Sequence, residues 1–189
     1  MGTGIDPGKW KKPPVKGENE LLAAYCTSPG FRAVVNRVAS AFGSVPFYRA
    51  KGDERDYQHP GIRLLNRYNP TMLGSQGREL EQVYLDITGD AITVIAPAPG
   101  DTKMELYPVP STWVTIETTA GRLRYLIKLG QKTYEFGPES ILHQREINPL
   151  DPYGRGRGPG WAAGDEITAD EAIAKHVTAY YYNSTRPEF

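Results

Sequence analysis

The run Tyr153-Gly154-Arg155-Gly156-Arg157-Gly158-Pro159-Gly160 is the densest chemical feature of the chain. Alternating glycines can expose backbone amides, and the Arg155 and Arg157 guanidiniums could grip phosphate or carboxylate. It is not a Walker loop, because no Gly-Lys-Ser/Thr follows, and Gly-x-Gly-x-x-Gly fails at its last position. Two readings stand: a connecting loop whose arginines are solvated or pair with nearby acids, or a direct nucleic-acid contact. A second basic group, Lys9, Lys11 and Lys12 around Trp10, sits among prolines and glycines. Apolar groups there are too few to repay ordering, so residues 1–19 are expected to form a flexible basic arm. That arm is either a solvated terminus or a contact to phosphate or to a neighbouring subunit, with Trp10 as anchor.

The remaining reactive residues do not assemble into a catalytic set. His59, His143 and His176 are far apart and none lies in a His-Glu-x-x-His pattern, so structural or surface roles are expected. Gly74-Ser75-Gln76-Gly77 lacks the spacing of a nucleophile elbow, and a helix N-cap accounts for Ser75. Cys26 is the single cysteine, which excludes an internal disulfide and a cysteine zinc cluster. It is expected to be a small buried apolar residue. No catalytic, cofactor-binding or metal-ligating residue is assigned, and an enzyme is the least favoured class.

The elements that position these residues follow from periodicity. Ser28 and Pro29 open a helix whose stripe Phe31, Val34, Val35, Val38 and Phe42 is closed by Gly43, and a shorter helix, Glu20 to Tyr25, precedes it. Val45 to Tyr48 reads as extended. A short helix starts near His59 and ends before Pro70. Ser75 caps a second long helix with the stripe Leu80, Val83, Tyr84 and Ile87, stopping near Gly89. The period then changes. Ala91 to Ala96, Trp113 to Glu117, Leu123 to Leu129, Lys132 to Phe136 and Ile141 to Gln144 are strand-like, with Gly130-Gln131 as a hairpin turn. Prolines 97, 99, 108 and 110 mark loops or edges. A last helix begins at Thr168, where Glu171 completes a capping box, and runs to Tyr180-Tyr181-Tyr182.

With 189 residues the chain allows one sizeable core. Twenty glycines and 16 prolines exceed the roughly 12% of average usage, while a hydrophobic share of 39% still supports a folded, loop-rich body. Lys plus Arg and Asp plus Glu both number 22, so no whole-chain field draws the molecule to DNA or to anionic lipid. No stretch approaches the roughly 18 apolar residues of a membrane span, and the start lacks a secretory apolar region.

Several stretches, in order, resemble the N-terminal part of phage portal proteins of the HK97-like head-to-tail connector family. Pro29-Gly-Phe-Arg-Ala-Val-Val-Asn-Arg-Val-Ala looks like the family's opening helix, with Ser44-Val45-Pro46-Phe47 entering a strand. His59-Pro60, Leu64-Leu65-Asn66-Arg67 and Asn69-Pro70 resemble its His-Pro and Leu-Leu-Asn text. Gly89-Asp90-Ala91 stands where many members have Gly-Asn-Ala, and Tyr107-Pro108-Val109-Pro110 is similar to the proline-bracketed stretch that follows. Leu142-His143-Gln144-Arg145 and Tyr180-Tyr181-Tyr182-Asn183 with Arg186-Pro187 complete the series. Residues 154–160 are richer in Arg and Gly than the usual member's loop, and Tyr replaces Phe in the final aromatic run.

The resemblance implies an α+β fold: a wing-like body of mixed strands with flanking helices over residues 20–165, and a helix over residues 166–189 leading toward a stem. The family continues past Arg-Pro, so the chain is expected to be an N-terminal fragment or a truncated form. Its implied function is structural: a ring of copies, a dodecamer in the family, at one capsid vertex. That ring gives passage to double-stranded DNA and docks capsid protein, terminase and a head-tail adaptor. The implied location is the virion portal vertex, and the host cytoplasm during assembly, with no membrane and no cofactor. Lys9, Trp10, Lys11, Lys12, Arg155 and Arg157 are then candidates for subunit or DNA contacts. The alternative is a self-contained prophage-derived nucleic-acid-binding module using the arm and the Gly-Arg loop.

Overall fold

The computed structural model describes residues 17–98, 100, 102–119 and 122–184. The Lys9, Trp10, Lys11 and Lys12 group therefore lies outside the described residues. The body has three layers: helices, a three-stranded sheet, and a second three-stranded sheet.

Helix α1 (Glu18–Thr27) buries Leu21 and Ala24, three residues apart on one face. Cys26 projects from the other side and is exposed, which corrects the expectation of a buried thiol. Helix α2 (Pro29–Gly43) starts as expected, with Ser28 Oγ accepting the Phe31 N–H at 3.4 Å and Pro29 in the first turn. Its buried line is Val35, Ala39 and Gly43, however, while Val34, Val38 and Phe42 are exposed. The reason is steric. A Cβ on Gly43 would meet the Ser75 carbonyl oxygen at 2.9 Å, so α2 approaches its neighbour too closely for anything but small residues. The wide apolar stripe is split, and its larger half faces out.

A hairpin of β1 (Arg49–Lys51) and β2 (Glu54–Asp56) turns at Gly52, whose φ of 61° suits glycine. Helix α3 (Pro60–Asn66) is capped by His59, whose Nδ1 accepts the Gly61 N–H. It ends at Asn66, ahead of Pro70 as expected, and β3 (Arg67–Asn69) pairs with β4 (Met72–Leu73) on either side of that proline. Helix α4 (Gly74–Thr88) is the axle of the helical layer and packs against α1, α2 and α3. Its N-cap is Leu73, with the Gln76 side chain accepting the Leu73 N–H, so Ser75 lies inside the first turn rather than at the cap. Gly89 ends the helix in the left-handed region, at φ 90°.

Strand β5 (Asp90–Pro97) runs through the centre of the first sheet, between β6 (Met104–Val109) and β10 (Ile141–Arg145), in the order β10-β5-β6. Residues 90–94 are all buried because both faces of β5 are covered. Strand β6 was expected as a proline-marked loop or edge. It is an edge strand, and Pro108 sits opposite Thr93 where an edge tolerates a missing N–H. The second sheet, β7 (Val114–Thr119), β8 (Arg122–Leu129) and β9 (Lys132–Phe136), forms the order β7-β8-β9, with the expected turn at Gly130, φ 61°.

Two cores result. Ile92, Val94, Val109 and Ile141 meet Val114, Tyr125 and Ile127 between the sheets. Leu21, Val35, Ala39, Val83 and Ile87 pack within the helical layer. The chain closes with α5 (Pro159–Ala162) and α6 (Gly164–Ser184). Helix α6 starts a turn before Thr168, whose hydroxyl donates back to the Gly164 carbonyl at 2.8 Å. The expected capping box is therefore not the start of this helix. Ile167 is buried, and residues 172–182 are all exposed.

Candidate assembly surface

The Gly-Arg loop lies flat against the end of α4. A Cβ on Gly156 would fall well inside contact distance of the Gly89 carbonyl oxygen. One on Gly158 would strike the Leu85 oxygen, and one on Gly160 would come 2.8 Å from the Ile87 oxygen. The alternation of glycine thus serves close approach of two backbones. The loop is strapped from its own flank: Asn148 Nδ2 donates to the Arg155 carbonyl at 2.9 Å, and Arg145 donates to the Tyr153 and Gly154 carbonyls. Trp161 Nε1 reaches the Thr88 carbonyl at 3.1 Å, which satisfies an orphan acceptor at the helix end.

The two arginines of the loop have different environments. Arg155 points inward, donating to the carbonyls of Ser111 (2.9 Å) and Val114 and lying 3.4 Å from Asp90 Oδ2. Arg157 is exposed, with its guanidinium carbon 4.9 Å from the centre of the Trp161 ring.

Asp90 is the node on which this corner turns. It is fully buried at the start of β5 and receives His143 Nε2 at 2.8 Å, the Gly156 N–H at 3.1 Å and Arg155. Burial pushes its carboxyl upward, but the hydrogen bonds from His143 and Gly156 and the charges of Arg155 and His143 outweigh that and hold it below its ordinary value. His143 Nδ1 also lies 3.2 Å from the Tyr125 hydroxyl on β8, within hydrogen-bond distance. One carboxylate therefore joins both sheets, the Gly-Arg loop and the end of α4.

A second buried polar group holds the helical layer. Arg78 NH1 donates to the Leu65 carbonyl at 2.8 Å, and NH2 to the carbonyls of Gly43 (3.0 Å) and Val45 (3.2 Å). Glu81, one turn along α4, accepts from Tyr68 (2.9 Å) and Thr93 (2.5 Å). Burial and the adjacent Glu81 carboxylate push the Tyr68 hydroxyl well above its ordinary value. Neither Arg78 nor Glu81 belongs to a motif that marks it in the sequence. Their spacing with Leu85 and Thr88 on a strongly periodic helix is the signal that they face inward.

Among the described residues several large apolar side chains face outward. On α2, Val34 is 69% exposed, Val38 49% and Phe42 37%. On α6, Ile173, Val177 and the tyrosines 180–182 are exposed, and the loop after β10 presents Ile147 (85%) and Tyr153 (94%). A cleft of about 740 Å³ lies between α3, β3 and β6, with Arg63, Arg67 and Lys103 on its walls beside Leu64 and Met104. Among the described residues no cluster of His, Cys, Asp and Glu could hold a metal ion, and no helix is long and apolar enough to cross a membrane. Exposed apolar stripes on helices are suited to contact with protein.

Comparison with known proteins gives this surface a setting. The chain resembles a chain in the neck of an empty gene transfer agent particle, with a TM-score of 0.79 and 22% identity over 91% of this chain and 48% of that one. A chain in the virion of the native gene transfer agent gives 0.75 and 19%, over 91% of this chain and 47% of that one. An HK97 family portal protein from Corynebacterium diphtheriae gives 0.50 and 12%, over 89% and 51%. The chain thus spans about half the length of the solved chains it matches, and the likeness establishes the α+β fold. No protein with a curated description matches the sequence. The profile of the family described as phage portal protein matches residues 29–189, most of the chain, so this chain belongs to the phage portal protein family.

Proposed function

We propose that this chain is a structural subunit of a portal ring at one capsid vertex, in which copies of it surround a passage for double-stranded DNA. Residues 20–165 form the wing-like body, and residues 166–189 lead toward the stem. The ring is the platform to which capsid protein, terminase and a head-tail adaptor dock, in the virion and, during assembly, in the host cytoplasm. The observation that carries this reading is the pair of uncovered apolar stripes on α2 and α6 in a chain of this family. Each would be costly to leave in water at roughly 25 cal/mol per Å².

A ring needs two different complementary surfaces on each copy, and the molecule has several to offer. The role requires no bond chemistry, in keeping with a site built from packing and buried hydrogen bonds. The nucleic-acid-binding alternative draws less support, because Arg155 spends its guanidinium on Asp90 and two backbone carbonyls. The test is the native mass of the purified chain over a concentration series, by light scattering or mass spectrometry. A closed ring, a fixed multiple of 21.0 kDa, is the expected result. A monomer at every concentration would count against self-assembly of this chain.

A further inference from the structure

We propose that the cleft between α3, β3 and β6 is a docking site for an extended acidic segment of a partner protein, which lies against the outer edge of β6 and sets its carboxylates on Arg63 and Arg67. The inference goes beyond the ring reading and does not depend on it, because the cleft lies within one chain.

The walls of the cleft are basic. Arg63 on the last turn of α3, Arg67 opening β3 and Lys103 just before β6 bring three cations together in a chain of zero net charge. Arg63 and Arg67 are exposed, and Arg63 holds no ion pair among the described residues. One N–H of Arg67 donates to the Pro70 carbonyl at 3.1 Å, which orients the guanidinium without filling its fork of donors. The acid of the lining, Glu105, is already engaged, since its carboxylate accepts the Tyr107 hydroxyl. A carboxylate entering the cleft therefore meets guanidinium donors, whose planar geometry matches its own.

The backbone beside these cations is an open strand edge. Ala98 N–H donates to the Lys103 carbonyl at 2.8 Å, so Lys103 and Glu105 bond toward β5, while Met104 and Leu106 turn their backbone groups the other way. On that side Asn69 Nδ2 takes the Leu106 carbonyl at 2.9 Å, which ties β3 to the edge. Past Asn69, Met104 carries the same edge into the cleft and is 46% exposed. Outward backbone groups next to carboxylate donors suit an extended peptide, with Leu64 and Met104 supplying apolar contact between the charges. The cleft volume lies within the roughly 300–1,000 Å³ of ligand sites. A nucleic-acid strand is served less well. The aromatic of the lining, Tyr68, is 2% exposed and gives its hydroxyl to Glu81, so it presents no ring face on which a base could stack.

The test is fluorescence anisotropy with three labelled probes, each titrated with the purified chain: a heptapeptide alternating valine and glutamate, its counterpart with glutamine for glutamate, and a single-stranded DNA of similar length. The glutamate peptide should bind about tenfold tighter than the glutamine one, and Arg63→Gln with Arg67→Gln should remove that preference. Lys128→Gln with Lys132→Gln, exposed on β8 and β9, makes the same change in net charge and should leave binding within about twofold. Arg63→Gln alone spares the Arg67 bond to Pro70 and should still weaken the glutamate peptide several-fold. Met104→Pro deletes one outward N–H without touching the β5 ladder, as Pro108 does further along the strand, and should weaken that peptide where Met104→Leu does not. Equal affinities for the two peptides, no binding of either, or equal losses in the arginine and lysine pairs overturn the inference. Tighter binding of the DNA, abolished by the same arginine substitutions and by salt, overturns it in favour of a nucleic-acid site. A ring-sized native mass without the peptide preference sinks this site alone, and a monomer that keeps the preference counts against the ring alone.

Discussion

At the scale of single residues Gly156 and Asp90 hold one corner of the molecule, where a loop, a helix end and two sheets meet. A methyl group on Gly156 has nowhere to go: its neighbour is the Gly89 backbone carbonyl, which cannot rotate away as a side chain would. Gly156→Ala is therefore expected to cost about 2 kcal/mol or more, as overpacking does. Gly30→Ala is the control, since nothing lies within 4 Å of that position and alanine favours a helix. Urea midpoints of the two variants should move in opposite directions. Asp90→Asn leaves Arg155 and His143 facing a neutral amide inside the fold, at a cost on the order of 3 kcal/mol near neutral pH. The sign of its pH dependence follows from the depressed carboxyl. That contribution is fully present above the unfolded value of about 3.9 and is lost as pH falls through the lower folded value. The stability gap between the natural chain and Asp90→Asn should be flat from pH 7 to 5 and close below about pH 4. A gap that stays constant to pH 2 would show that the fold does not hold the Asp90 carboxyl below its ordinary value.

At the scale of elements, Arg78 fastens three pieces of chain at once, the ends of α2 and α3 and the segment after Gly43. A lysine offers one point donor where the fork serves three carbonyls, so Arg78→Lys is expected to cost on the order of 2 kcal/mol. Hydrogen exchange should quicken first in residues 43–47, and unchanged exchange there would deny Arg78 this role. The same region shows what was legible in the sequence. Periodicity located α2, α4 and the strands β5, β8, β9 and β10, because burial of one face imposes a period on residue types. It did not say which side of a wide stripe docks. That choice belongs to the partner helix, and on α2 the close approach at Gly43 selected Val35 and Ala39 over Val34 and Val38. Ser75 and Thr168 each had the chemistry of a cap, yet the helices began one and four residues earlier. At one start Gln76 reaches back to Leu73, and at the other the chain leaves α5 already turning. Cys26 faced outward for a related reason: a short helix buries one narrow face, here Leu21 and Ala24. The Gly-Arg loop was the most conspicuous chemistry in the sequence, but the helix end and the Asp90 carboxylate that give it a role are about 65 residues away and come near only through the β5 and β10 pairing.

For the whole molecule, the division of labour between body and last helix makes a sharper claim than either part alone. The buried apolar clusters lie between residues 21 and 141 with Trp161 packed beside the helical one, and α6 contributes a buried side chain at Ile167 but none among residues 172–182. A helix of that length without a packed face is marginal in water, so its order is expected to come from a partner. Truncation after Thr168 should therefore leave the urea midpoint and slope of the body unchanged within about 0.5 kcal/mol, since surface residues away from packing contribute little. The same truncation should abolish any concentration-dependent rise in native mass, because it deletes one of the two stripes. The two measurements together separate the possibilities. If stability falls by several kcal/mol, α6 belongs to the body's own core, and its exposed stripe is not an assembly surface. If stability holds and the mass also holds, copies associate through other surfaces, with the apolar loop at Ile147 and Tyr153 the next to test by substitution. Stability retained with assembly lost is the outcome that a portal subunit built this way demands.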